Sequence, residues 1–170
     1  MFMQIVKDYR DNKVLRDSFN GLAKKAPMDT ADDWEKMVKV MKSKAQCGNM
    51  TMCGNEDPFM FYLSQFMREC VYYIGQSDTY VIAEIEGNTL MIHAIFGETS
   101  VDEVIASFGS AIRRAALFFT PTDRMGYEET VVDEENTTFF VKRKAFEQSG
   151  MINLCFRLLR MRKYDLCDIV

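Results

Sequence analysis

Histidine is the scarcest functional residue in this chain: His93 is the only one among 170 residues. Its solitude leaves no histidine cluster for a metal. Basic charge is also in short supply. Lys and Arg number 21 against 25 Asp and Glu, a net charge of −4, which argues against a nucleic-acid binder, whose domain is ordinarily basic. No apolar run approaches the roughly 18 residues that a membrane span needs. The opening MFMQIVKDYRDNK lacks the apolar core and small-residue cleavage site of a signal peptide, so the cytoplasm is the expected compartment. Five cysteines are an odd number, expected as reduced thiols in a cytosolic chain. Cys47 and Cys53, in CGNMTMCG, lack the spacing of close metal-binding pairs and have no histidine nearby, so no metal is expected.

What the chain does have is apolar residues, 48% of the total. That is enough for one globular domain with a real core. MQIVKDY reads as a short strand. Leu15, Phe19, Leu22 and Ala26 follow at helical spacing. Asp11 or Asn12 caps that helix, Lys24 and Lys25 suit its C-terminal dipole, and Pro27 stops it. A second helix begins near Thr30 with Trp34, Met37, Val38, Met41 and Ala45 as its stripe. After a loop rich in Gly and Asn, Asp57-Pro58 opens a third helix, with Phe59, Tyr62, Leu63, Phe66 and Cys70 inward.

From Val71 the period changes to strands: VYYIG, TYVIAEIE and TLMIHAIF. Gly87-Asn88 joins the last two as a tight turn. Ser100 and Glu103 form a capping box for the helix VDEVIASFGSAIRRA. The apolar strand ALFFTP, the acidic loop TDRMGYEETVVDEEN and the strand TTFFVKR complete the order before a basic tail. A β-α-β unit joined to an antiparallel hairpin predicts an α/β or α+β domain, a mixed sheet with helices packed on it.

His93 is the natural candidate for a general base, because its unperturbed pKa lies near neutrality. Alternation sets it with Met91 and Ile95, opposite Leu90, Ile92 and Ala94. Both faces are apolar, so a hydrogen-bonded structural histidine is the expected role. Glu84 and Glu86 share one face of the preceding strand, either within reach of a substrate or as the solvent side of the sheet.

Two blocks, IVKDYRDNKVLRDSFNGLAKKA and FMFYLSQFMRECVYYIGQSDTYVIAEIEGNTLMIHAIF with FGSAIRRAALFFTP and TTFFVKR, resemble the GNAT superfamily of N-acetyltransferases, in particular its long clostridial-type members. The resemblance implies a GNAT-like, mainly antiparallel sheet. It divides the chain into an opening strand–helix segment, 1–26, and a GNAT-like domain, 27–170. The central acetyl-CoA-binding section of the longer relatives has no counterpart after Ala26, and the tail departs from them after about Cys155.

The resemblance implies acetyl transfer from acetyl-CoA to an amine. His93 or Glu84 would be the base, and Tyr127 a general acid toward the leaving thiolate. The family's phosphate signature, Arg/Gln-x-x-Gly-x-Gly/Ala, falls at IFGETSVDEV. Phe96, Gly97, Thr99 and Ser100 are the cofactor-binding candidates there. Gly97 stands alone, and Glu98, Asp102 and Glu103 put negative charge where a pyrophosphate would sit. Two functions are therefore expected: a shortened transferase, or a non-catalytic module for binding or oligomerisation. The expected partners are an amine substrate and a second copy of the chain or a full-length relative. The basic tail, with Arg157, Arg160, Arg162 and Lys163, could dock on the acidic loop within the chain or between subunits, with weak binding to a membrane surface as the lesser alternative.

Overall fold

The computed structural model describes residues 2–8, 17–43, 56–119, 121–122 and 127–132, with backbone alone at 2–8 and 129–132. The predicted strand TTFFVKR, the basic tail and the Cys47–Cys53 loop lie outside the described residues. Residues 4–129 form one compact unit; residues 1–3 and 130–170 belong to another.

The strands with residues in 4–129 are β1 (Phe2–Asp8, in this unit from Gln4 on), β2 (Ala23–Lys25), β3 (Val71–Ile74), β4 (Thr79–Glu86), β5 (Thr89–Phe96) and β6 (Arg114–Leu117). β7 (Glu128–Val132) starts at the end of this unit. The strand order is β2-β3-β4-β5-β6-β1. All neighbours are antiparallel except β5 and β6, which are parallel. The helices are α1 (Ala31–Ser43), α2 (Glu56–Tyr62) and α3 (Val101–Ser107), the last forming the crossover between the parallel pair. The fold is thus mixed α+β, with a mostly antiparallel sheet and helices on both faces.

Two cores follow from strand alternation. On one face Val81, Ala83, Leu90, Ile92, Ile95 and Leu117 bury against Val104 and Ile105 of α3. On the other, Val71, Tyr80, Ile82 and Phe96 bury against Met37, Val40 and Met41 of α1 and against Leu63. Each fully buried side chain of this size contributes about 1.5–3 kcal/mol. Thr30 and Asp33 fix the start of α1: the Thr30 amide donates to the Asp33 carboxylate at 3.0 Å, and the Asp33 amide to Thr30 Oγ1 at 3.3 Å.

Five sequence expectations shift. Residues 17–19 are helical, but the chain turns at Asn20–Gly21, and Ala23–Lys25 is a strand paired with β3 instead of a last helical turn. Burial of the third helix moves from Tyr62 and Phe66 to Met60 and Met67; Tyr62 is 54% and Phe66 69% exposed. The exchange of Phe66 for Met67 follows from the π-type turn Leu63–Met67, whose wider winding rotates the stripe beyond it. The helix after Ser100 ends at Ser107 because Gly109 takes φ +99° and faces the Asn20 side chain. β6 then starts earlier than ALFFTP suggests. Lastly, Glu128–Val132, read as acidic loop, is a strand.

Candidate functional site

His93 is placed by an irregularity that alternation alone does not reveal. Ile82 pairs with Ala94, but Ala83 pairs with Ile92. His93 is therefore the extra residue of a β-bulge, a feature that bends a strand and re-aims side chains. The bulge overturns the expected facing. Ile95 joins Leu90 and Ile92 in the α3-side core, whereas Ala94 packs on the opposite one. His93 turns to Glu84, two residues beyond Ile82 on β4.

His93 Nε2 lies 3.1 Å from Glu84 Oε1, with side chains 28% and 43% exposed. The imidazole stacks on Phe118 at 4.6 Å between ring centroids, 26° from parallel. Two of the sequence-predicted candidates are thus joined in one half-buried pair. The parallel register of β5 with β6 stops at Ile92–Leu117, beside the bulge, while β5 continues to Phe96. The carboxyl ends of parallel strands are where ligands of α/β sheets gather.

Tyr127, the expected general acid, packs against the α3-side core. Cys70, which motif reading passed over, is near enough to feel Glu84. Burial pushes its thiol pKa up, and the Glu84 charge adds to the rise. This environment keeps the thiol protonated rather than making it a nucleophile.

The cofactor-binding candidates occupy the turn between β5 and α3. Phe96 is 1% exposed and meets Phe59 edge-on at 5.4 Å, so it belongs to the core. An added Cβ on Gly97 would fall 2.8 Å from Thr79 Cβ; the glycine serves that close approach. Ser100 caps α3 in a complete capping box. Glu103 Oε2 accepts from the Ser100 amide at 2.9 Å, from Ser100 Oγ at 2.9 Å and from Thr99 Oγ1 at 3.0 Å. These donors are the groups that a phosphate would otherwise engage at such a turn. A pyrophosphate brought here meets a fixed carboxylate instead, so the residues do not fit that part of coenzyme A.

Hydrogen bonds from Ser100, followed by Thr99, hold the Glu103 carboxyl below its ordinary range. A lowered folded-state pKa adds stability above the unfolded pKa, and that stability is lost as pH falls through the folded value. Stability is therefore expected to decline below about pH 4.3, the ordinary glutamate value. Glu103→Gln should flatten that part of the profile, as followed by urea unfolding at successive pH values.

Among the described residues no group of three or more potential ligands could hold a metal ion, and no helix is long and apolar enough to cross a membrane. No protein-family model, curated protein or solved structure matches the chain.

Proposed function

We propose that the domain is a non-catalytic binding module on an N-acetyltransferase-like scaffold. One observation carries the reading: Glu103 already takes the donors of Thr99 and Ser100 in the turn where such a transferase would hold its cofactor. Negative charge at the start of a helix complements its dipole, so the turn is satisfied without a ligand. Titration calorimetry with acetyl-CoA tests this. No heat at millimolar ligand is expected, and micromolar binding would overturn the reading.

A second reading, acyl transfer to an amine with His93 as base, is favoured by the contact of His93 with Glu84. A general base needs an oriented imidazole within reach of solvent or substrate, and this pair supplies one. The variant His93→Gln separates the two. As a structural residue, His93 is worth about 1 kcal/mol of stability, and its replacement leaves any transfer rate per folded molecule unchanged. Loss of turnover at unchanged melting temperature would favour the second reading.

A further inference from the structure

An opening lies near the start of β4, away from His93: Tyr80 in its lining is four residues from Glu84, roughly 13 Å along the strand. It is a cavity of about 250 Å³ lined by Lys36, Lys39, Val40 and Ser43 of α1 and by Tyr73, Asp78 and Tyr80 of the β3–β4 hairpin. At about 30 Å³ per water, it has room for roughly eight water molecules.

The lining is divided by chemistry. The rings of Tyr73 and Tyr80 lie 4.8 Å apart and make one wall. Tyr73 Oη donates to Asp78 Oδ1 at 2.9 Å, which ties the ring to the hairpin and gives that carboxylate a partner. On the helix side, Lys36 Nζ is 2.6 Å from Asp32, one turn earlier. Lys39, one turn later, has no carboxylate within ion-pair distance among the described residues. Among the described residues, an aromatic wall and one ammonium group without an ion-pair partner thus line the same cavity.

We infer that this cavity binds a small planar carboxylate, its ring against Tyr73 and Tyr80 and its charge on Lys39. One such ammonium among the described residues matches a monoanion. Asp78 and Asp33, both close enough to act on the Tyr80 hydroxyl, oppose a second negative charge, and so disfavour a phosphate dianion. The long stem of Lys39 reaches a bound carboxylate while its head stays hydrated. The inference is independent of acetyl-CoA binding, since it rests on another part of the sheet.

Benzoate is the probe, followed by 1H–15N correlation spectra of the whole chain. Saturable shifts are expected at residues 36–43 and 73–80, with millimolar affinity. Lys39→Gln, an exposed change that spares the fold, should weaken binding about tenfold, the worth of one hydrogen bond to a charged group. Arg113→Gln, on the α3–β6 connection, should leave it unchanged. Neutral benzyl alcohol should bind more weakly than benzoate. Absence of saturable shifts, shifts located elsewhere, equal binding of the alcohol, or indifference to Lys39→Gln would each overturn the assignment.

Discussion

Gly97→Ala is expected to cost about 3 kcal/mol or more of stability, because the added carbon has no room and its neighbours cannot yield. An ideal Cβ on Gly97 would lie 2.8 Å from Thr79 Cβ and 2.9 Å from Thr79 Cγ2. Thr79 is fully buried, and its Cβ is fixed by a backbone paired with Ile74. Its hydroxyl donates to the Ser77 carbonyl at 3.1 Å and accepts from Ser77 Oγ at 2.9 Å, so rotation away breaks both bonds. The denaturant midpoint should drop at unchanged slope. Thr79→Gly is destabilising by itself, yet combined with Gly97→Ala it should cost less than the two changes added, since it removes the clash. If Gly97→Ala lay within about 0.5 kcal/mol of the parent, the ordinary range for surface changes, the steric account would fail. The glycine would then be left for close approach of a ligand.

The same region marks where sequence reading succeeds and where it stops. The hairpin was legible because Gly87-Asn88 has turn chemistry and the flanking runs are rich in strand formers; Gly87 indeed takes φ +60°. The capping box was legible because Ser100 and Glu103 bond each other locally. The facing of His93 was not. A bulge is one unpaired residue among strand formers, and it leaves no mark on composition while reversing the facing beyond it. The contact of His93 with Glu84 depends on that reversal, so the sequence supplied the two residues but not their pairing. The π-type turn at Leu63–Met67 hid in the same way, since LSQFM has no residue that forces it. β2 was masked by helical spacing: Leu22 and Ala26 fit the stripe, but Ala23–Lys25 gains more from pairing with β3. There Lys25 Nζ donates to the Glu69 carbonyl at 2.7 Å and lies 5.7 Å from the Tyr72 ring centroid. These are tertiary gains, which override local propensity. The cavity beneath α1 was invisible for a related reason, because its two walls are about thirty residues or more apart in sequence.

Phe96→Ala should be the second large loss, about 3–5 kcal/mol, the usual cost of emptying a buried phenylalanine site. Phe96 is among the largest fully buried side chains, and it lies in the core shared with α1 and Leu63. Little can collapse into the void, because β5 is held on one side by β4 at Tyr80–Phe96 and Val81–Ile95. Against a total stability of about 5–15 kcal/mol for a domain, such a change removes a large share. At about 2–4 °C per kcal/mol for a chain of this size, the melting temperature should fall by roughly 10 °C. Phe59→Ala, at a partly buried site, should cost less. The two should couple by about 1 kcal/mol, the worth of an edge-to-face pair. This outcome bears on function as well as on stability. A phenylalanine lining a cofactor site would lose ligand affinity on truncation and keep most of the stability of the free protein. One that is core does the reverse, and with Gly97 held by Thr79 and Ser100 by Glu103, it would leave the β5–α3 turn accounted for by packing and capping alone.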